Sequence, residues 1–322
     1  MFLVTGGAGF LGSSLVKALV GRGERVRVLD NSFRGSRAKL GACLEHVEFV
    51  EGDVRNRDVA ARAVRGVHTV CHLAFINGTR YFYEMPREVL DVGIRGTLNV
   101  LDAAVESGVQ DFFFASSSEV YQTPAVFPTP EGVPLTIPDP LNPRYSYAGG
   151  KMIGEILSFT YGKDRFRRTI VFRPHNVYGP DMGFEHVIPE FIVRMGAVLR
   201  SSSPEPVAFP IQGSGRETRA FCEVRDFTDG LLRVIDYGQD RAIYHIGNDE
   251  EVSINDLAAM IARKVGARIR LEPGPLRAGG TSRRCPDITK LRALGYRPRI
   301  ALEAGLDASI QWYTSHAPGG TP

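Results

Sequence analysis

Tyr147 and Lys151 are four residues apart in the stretch YSYAGGK, residues 145–151. On a helix this spacing places the two side chains on one face, one turn apart. A nearby ammonium favours the phenolate and so lowers the pKa of a phenol. Tyr147 could then serve as a general base near neutral pH. A solvated surface pair has the same spacing, so the interpretation depends on the rest of the chain.

A glycine-rich turn, TGGAGFLG, follows the first strand-like stretch. Gly6, Gly9 and Gly12 allow a tight turn and a close approach of the backbone to a ligand. The helix that follows presents free N–H groups to a pyrophosphate. Because the turn stands between a predicted strand and a predicted helix, it predicts dinucleotide binding.

Asp30 ends the second predicted strand, eighteen residues after Gly12. A carboxylate there accepts the hydroxyls of the adenosine ribose and repels a 2′-phosphate, which favours NAD over NADP. Arg34 and Arg37 follow closely and could instead pair with such a phosphate. Asp53, after the third predicted strand, is placed to meet the adenine amine, although a turn aspartate has the same sequence context.

Three serines and a glutamate, Ser116 to Glu119, follow the fifth predicted strand in FFFASSSEVY. Ligands of parallel sheets bind at the carboxyl ends of the strands. Serine clusters are more often part of turns. At a strand end, followed by Tyr-x-x-x-Lys at a helix start, this cluster predicts a Ser–Tyr–Lys site acting on a substrate hydroxyl.

Strands and helices alternate through the first half of the chain. The predicted strands are Phe2–Thr5, Val26–Asp30, Val47–Glu51, Thr69–Leu73, Phe112–Ser116 and Thr169–Arg173. The predicted helices are Leu11–Val20, Arg57–Arg65, Glu88–Ser107 and Tyr147–Tyr161. This order predicts right-handed βαβ crossovers and an α/β fold with a doubly wound parallel sheet.

The second half is less regular, with one clear amphipathic helix predicted over Ile254–Val265. We expect a dinucleotide-binding domain over residues 1–175 and a smaller substrate lobe over 176–322 that returns elements to the sheet.

Composition excludes several classes of protein. The chain has 322 residues, 43% of them hydrophobic and 23% charged, and a net charge of +3. These are the values of a globular protein with a large core, and no basic run suggests nucleic-acid binding. The four cysteines lie far apart without metal-ligand spacing, and neither a signal peptide nor a membrane span is expected. A cytoplasmic location is predicted.

Taken together, the motifs resemble those of the extended short-chain dehydrogenase/reductases, in particular the NAD-dependent nucleotide-sugar epimerases, dehydratases and decarboxylases. The resemblance covers nearly the whole chain and is carried by TGGAGFLG, HLA (72–74), GTLNVLDAA (96–104), SSSEVY, YSYAGGK, FRPHNVYGP (172–180), GSGRETRAF (213–221) and RRCPDITK (283–290). It implies a Rossmann-type sheet with a smaller α/β C-terminal lobe, bound NAD, a nucleoside-diphosphate sugar substrate and a homodimer.

The resemblance also implies roles for single residues. The catalytic set would be Ser117, Tyr147 and Lys151, with Glu119 as a second base or a carboxylate-site residue. NAD contacts would come from Gly6, Gly9, Phe10, Leu11, Asp30, Asn31, Asp53, Val54, Leu73, Ala74, Tyr147 and Lys151. Substrate contacts would come from Ser117, Ser118, Asn176, Arg219, Arg277 and Arg284. One departure is Gly93, where the family commonly has asparagine.

The implied reaction begins with hydride removal from C4 of the sugar while Tyr147 takes the hydroxyl proton. Return of the hydride to the opposite face gives an epimer, proton loss at C5 leads to dehydration, and a uronic acid can lose CO₂. We expect a nucleotide-sugar epimerase/dehydratase. A nucleotide-uronic acid decarboxylase, favoured by Glu119 and Arg284, stays open, as does a dinucleotide-sensing protein without turnover.

Overall fold

The computed structural model describes residues 1–200, 205–275 and 279–316. Its strands are β1 Phe2–Thr5, β2 Val26–Asp30, β3 Val47–Glu51, β4 Thr69–His72, β5 Asp111–Ala115, β6 Arg168–Pro174, β7 Val177–Tyr178, β8 Val207–Gln212, β9 Thr218–Ala220, β10 Cys222–Glu223, β11 Ala242–Ile246, β12 Glu251–Ser253, β13 Ile269–Gly274 and β14 Arg283–Arg284. Its α-helices are α1 Phe10–Gly21, α2 Arg57–Val64, α3 Thr79–Glu84, α4 Pro86–Asp91, α5 Thr97–Glu106, α6 Tyr145–Gly162, α7 Val187–Leu199, α8 Val224–Tyr237, α9 Ile254–Val265, α10 Thr289–Arg292 and α11 Leu302–Ser315.

Seven parallel strands form the central sheet, in the order β11-β6-β5-β4-β1-β2-β3. The chain starts in the middle of the sheet, moves to one edge with β2 and β3, and then crosses to the other side with β4. This reversal between β1 and β4 opens a crevice at the carboxyl ends of the strands. The predicted doubly wound Rossmann-type α/β class is confirmed.

The predicted strands and helices are all found, with small differences in their bounds. The fourth strand ends at His72 instead of Leu73, and the fifth covers Asp111–Ala115, so that Ser116 lies just beyond it. The long helix predicted over Glu88–Ser107 is α4 and α5 joined by a π-helical turn, Val92–Gly96. Such turns widen a helix locally and often occur next to functional sites.

Both faces of the sheet are covered by helices, as the continuously apolar strands require. On one face α1 and α8 pack on the sheet with buried residues such as Leu15, Phe227 and Leu231. On the other face α2, α5 and α6 contribute residues such as Val100 and Leu101 to a second core. The helices thereby fix the strand ends, and α6 brings Tyr147 beside the end of β5.

The second half of the chain has a core of its own between α7, α9, α11 and the pair β8–β13. It also returns β11 to the edge of the central sheet, beside β6. A small sheet β12-β9-β14 pairs Arg284 of β14 with Arg219 of β9. The division at residues 175 and 176 stays a prediction. Among the described helices, none combines the length and the apolar character needed to cross a bilayer.

Candidate active site

The glycine turn between β1 and α1 lets the backbone come close to a ligand. Gly6 has a φ of +71°, and a Cβ there would lie 2.8 Å from the Ala74 nitrogen. Gly9 is the N-cap of α1, and no side chain caps this helix. The first N–H groups of α1 are therefore suited to bind an anion such as a pyrophosphate.

Asp30 is buried at the end of β2. Its two carboxylate oxygens accept backbone N–H groups of Ala8 at 2.9 Å and Ser32 at 2.8 Å. Burial raises the pKa of this carboxyl, although both hydrogen bonds favour the charged form. Each oxygen can accept a further hydrogen bond, so Asp30 still has acceptor capacity for the hydroxyls of a ribose.

The two arginines that follow Asp30 have other partners. Arg34 lines the cavity described below, but its guanidinium lies 3.1 Å from Glu185 and 5.0 Å from the centre of the Tyr81 ring. Arg37 pairs with Glu51 at 2.7 Å on the surface. This arrangement favours Asp30 over the arginines as the residue that selects the adenosine ribose.

Asp53 stays charged at the wall of the cavity. Hydrogen bonds from the Arg55 guanidinium at 3.0 and 2.7 Å lower the pKa of this carboxyl against the effect of burial. Asn31 donates its amide to the same carboxylate at 3.0 Å. The arrangement fixes an acceptor where an adenine amine could donate.

A cavity of about 730 Å³ lies at the carboxyl ends of the sheet strands. All residues predicted to hold NAD line it: Gly6, Gly9, Phe10, Leu11, Asp30, Asn31, Asp53, Val54, Leu73, Ala74, Tyr147 and Lys151. So do Ser117, Ser118, Glu119, Asn176 and Arg284. Its size, the uncapped helix and the buried Asp30 together fit a dinucleotide. Within the described part of the chain, no cluster of three or more histidine, cysteine, aspartate or glutamate residues could hold a metal ion.

Tyr147 is almost fully buried at this cavity, with 6% of its surface exposed. The Ser117 side chain is near enough to the phenol to act on its pKa as a hydrogen-bonding group. Its ring stacks on Phe82, with ring centres 4.7 Å apart, and meets Phe75 edge-to-face at 5.1 Å. The serine and the phenol are thus together, in an apolar setting that fixes the ring.

The predicted lowering of the Tyr147 pKa by Lys151 is not found. Burial raises the pKa of the phenol above its ordinary value, and the lowering contributions come from the Ser117 hydrogen bond and the charge of Arg34. Lys151 donates from Nζ to the Ala115 carbonyl at 2.6 Å, and burial lowers its own pKa to about 7. Desolvation, which spacing along a helix does not reveal, therefore governs both groups.

Glu119 and Arg284 form an ion pair at the cavity. Arg284 donates from Nη1 to Glu119 Oε1 at 2.8 Å, and Arg144 approaches the other oxygen at 3.7 Å. Burial raises the pKa of Glu119, but the charges of Arg284, Arg144 and Arg219 outweigh burial and lower it overall. Glu119 is thus a carboxylate held charged by arginines, which makes it a weak base.

The positive charge here exceeds the negative charge. The Nε atoms of Arg284 and Arg144 are buried and have no hydrogen-bond partner in the structure. Arg219 does not line the cavity and donates to the carbonyls of Thr218 and Thr281, both at 2.7 Å. Burial and the charge of Arg284 lower the Arg219 pKa to about 10. An anionic group of a substrate would be stabilised at this end of the cavity.

The structure describes one of the two other predicted substrate residues, Asn176. This residue lines the cavity and donates its amide to the Ala220 carbonyl at 3.2 Å. Arg277 lies outside the described residues.

Sequence reasoning missed two residues of the site. Arg144 stands three positions before Tyr147, just ahead of α6, and that position is the one signal that could have identified it. Phe75 follows the HLA motif and lines the cavity beside Lys151. No sequence pattern indicated its role, because its contacts come from distant parts of the chain.

Comparison with known proteins also points to a dinucleotide, as the geometry of the cavity does. The model of the NAD dependent epimerase/dehydratase family matches residues 2–247. UDP-glucuronic acid decarboxylase 5 from Arabidopsis thaliana is 32% identical over 308 residues, covering 94% of this chain and 86% of the relative.

Two solved structures resemble the whole chain. UDP-glucose 4-epimerase from Thermotoga maritima, solved with UDP-glucose, superimposes with a TM-score of 0.86 at 27% identity, covering 98% of this chain and 99% of that one. MoeE5, solved in complex with UDP-glucuronic acid and NAD, gives a TM-score of 0.81 at 29% identity, covering 97% of this chain and 98% of that one.

The environment of Asp30 predicts which dinucleotide binds better. A charged carboxylate beside a 2′-phosphate is repulsive, so NAD should bind at least about tenfold more tightly than NADP in calorimetric titrations. Asp30→Asn should narrow this difference, whereas Arg37→Ala, whose partner Glu51 is on the surface, should leave it unchanged. Tighter binding of NADP by the wild-type protein would contradict the assignment and point to Arg34.

Proposed function

The chain belongs to the NAD-dependent epimerase/dehydratase family, and from this premise we propose that it oxidises C4 of a nucleoside-diphosphate uronic acid. It is an NAD-dependent nucleotide-sugar epimerase/dehydratase, so a binding protein without turnover is set aside. The finer assignment, an acidic sugar, rests on one observation. Glu119 at the cavity is influenced by three arginines, which leaves an excess of positive charge.

The residues at the cavity fit the oxidation step. NAD supplies the hydride acceptor. We infer that Tyr147 takes the proton of the C4 hydroxyl while Ser117, which lines the cavity beside the phenol, orients that hydroxyl. Because burial opposes the phenolate, the anion needs compensation from nearby donors and positive charge. Ser117 and Lys151 would supply it, with Lys151 also holding the nicotinamide ribose.

The arginines fit the recognition of a carboxylate on C5 of the sugar. Arg284 presents a planar guanidinium that can bind a carboxylate through two parallel hydrogen bonds. Glu119 orients this guanidinium at 2.8 Å, and Arg144 balances the charge of Glu119. We assign Glu119 to this carboxylate site in preference to a second base, since its low pKa makes it a poor proton acceptor.

UDP is the nucleotide that we propose, because the compared proteins act on or bind UDP-sugars by name. Ser118 and Asn176 line the cavity and are candidate sugar contacts. Arg219 and Arg277 are candidate ligands of the diphosphate.

A second candidate, decarboxylation, is favoured by a specific feature of the site. Once C4 is a ketone, a carboxylate on the adjacent carbon is β to the carbonyl and can leave as CO₂. The ion pair of Glu119 with Arg284 holds a guanidinium at the cavity, which supports binding of that carboxylate there, and the Arabidopsis relative is named a UDP-glucuronic acid decarboxylase. Return of the hydride to the opposite face of C4, without CO₂ loss, would instead invert that carbon.

Tyr147→Phe tests the oxidation step. Removal of the phenol oxygen removes the proton acceptor, and turnover of UDP-glucuronic acid should fall by roughly 10²–10⁴-fold. NAD binding, measured by calorimetry, should change little because the ring and its packing remain. Tyr161→Phe, at a partly buried position near the C-terminal end of the same helix and away from the cavity lining, is the matched control. Near-normal turnover of the Tyr147 variant would contradict the assignment of Tyr147 as the proton acceptor.

Arg284→Ala tests the acidic sugar. Loss of a guanidinium that binds a carboxylate should lower kcat/KM for UDP-glucuronic acid by roughly 10²-fold or more, with a much smaller effect on UDP-glucose. Arg283→Ala is the control, because the neighbouring guanidinium pairs with Glu251 at 2.5 Å instead. Equal losses on both sugars would argue against a carboxylate site at Arg284. Release of CO₂ from UDP-glucuronic acid separates decarboxylation from epimerisation.

We also infer a homodimer through α4, α5 and α6. Ile153 and Ile156 of α6 are 39% and 64% exposed, and Leu90, Ile94 and Leu98 line a neighbouring depression. These exposed apolar side chains, with Arg87, Asp91 and Arg95 around the same depression, suit a two-fold contact. Light scattering at micromolar concentration should give the mass of a dimer, and Ile156→Glu should give a monomer. A wild-type monomer would refute the inference.

We propose a cytoplasmic location for the protein. The four cysteines form no disulfide bonds, which supports this location because disulfides are rare in the cytosol.

A further inference from the structure

Phe75 is the aromatic residue closest to the Lys151 ammonium. The centre of its ring lies 3.9 Å from Lys151 Nζ, while the ring centres of Phe114 and Tyr147 lie at 5.2 and 5.6 Å. A cation over an aromatic face at this distance is attracted by the ring quadrupole. Among the described residues, the ammonium thus has one hydrogen-bond partner, the Ala115 carbonyl at 2.6 Å, and one close aromatic face.

Two glycines make room for this ring. A Cβ on Gly93, in the π-helical turn, would lie 2.5 Å from Phe75 Cε2, and a Cβ on Gly150, in α6, would lie 2.9 Å from Cζ. Both distances are too short for real carbon atoms. At Gly149, the neighbour in α6, the nearest atom would be 3.8 Å away. Gly93 and Gly150 are therefore the positions that approach the Phe75 ring, whereas Gly96 of the same turn and Gly154 of α6 approach Val54 and Phe114 instead.

We propose that Phe75 is a positioning residue of the active site, whose ring face holds the Lys151 ammonium at the end of β5. Gly93 and Gly150 are glycines because the ring occupies the space that their side chains would need. The ring also contacts Tyr147 edge-to-face, with ring centres 5.1 Å apart. The inference rests on the proposed roles of Tyr147 and Lys151 and adds a residue with no proposed contact to substrate.

Few titratable groups face Lys151, so the ring of Phe75 contributes a large share of the stabilisation of its ammonium. Glu155, one turn further along α6, favours the ammonium but is itself paired with Arg173 at 2.6 Å. His72 of β4 is neutral, since burial and the charge of Lys151 lower its pKa to about 3. Tyr147 is protonated at neutral pH because burial raises its pKa. No unpaired carboxylate among the described residues therefore holds this ammonium.

Direct titration of Lys151 in the cofactor-free protein tests the proposal. The chain has six lysines, so lysine labelled with ¹³C at Cε gives few resonances, and Lys151→Arg identifies that of Lys151. Phe75→Leu keeps an apolar side chain but removes the quadrupole, and should lower the Lys151 pKa by about 0.5–1.5 units. Gly93→Ala, which displaces the ring without removing it, should shift the pKa in the same direction.

Two control variants separate this effect from general loosening of the site. Phe82→Leu removes the ring stacked on Tyr147, and Gly149→Ala adds a methyl group to α6 with ordinary contacts. Both variants should leave the pKa of Lys151 unchanged. An unchanged pKa in both the Phe75 and the Gly93 variants, or an equal shift in the controls, would overturn the proposal. No substrate is needed, so this outcome is independent of whether Tyr147→Phe abolishes turnover.

Discussion

The structure of the site depends on a buried ammonium. Lys151 is 2% exposed, and its only hydrogen bond among the described residues is to the Ala115 carbonyl at 2.6 Å. Transfer of such a charge from water into a protein costs several kcal/mol unless the surroundings compensate. The carbonyl, the ring of Phe75 and the nearby Glu155 provide that compensation. Because Ala115 ends β5 and Lys151 lies on α6, the same contact fixes the helix against the sheet.

A second electrostatic arrangement connects the two halves of the chain. Glu119 follows β5 in the first half, whereas Arg284 belongs to β14 in the second, and their ion pair lies at the wall of the cavity. Arg144 comes from the segment before α6. A surface ion pair adds little stability, but only 13% of the Arg284 side chain and 19% of the Glu119 side chain are exposed. Arg144 and Arg219 act on the same carboxylate through their charges. The excess positive charge around this pair is the basis on which we propose an acidic substrate.

The sequence predicted the part of the fold that local patterns encode. Strands β1 to β6 are short apolar runs separated by amphipathic helices. Because these strands are buried on both faces of the sheet, they need apolar residues throughout, and this pattern is visible in the sequence. The glycine turn, Asp30 and Tyr147 with Lys151 were found for the same reason, since each motif has a fixed spacing within one element. Resemblance to a family added Ser117, Asn176 and Arg284.

The other features of the fold and the site could not be predicted from local sequence patterns, because they depend on tertiary contacts. The raised pKa of Tyr147 depends on burial by Phe75 and Phe82, which lie far away in sequence. Arg144 was missed because no period or spacing links it to Glu119. The return of β11 to the sheet edge and the fit of Phe75 against Gly93 likewise depend on tertiary contacts.

The most direct test of the proposed function is to mix the enzyme and NAD with UDP-glucuronic acid carrying deuterium at C4, and to follow NADH absorbance through one turnover. The account predicts transient NADH that forms more slowly than with the unlabelled sugar, because the C4 bond to hydrogen breaks in that step. Product formation without NADH, or with no isotope effect on its appearance, would contradict hydride transfer from C4.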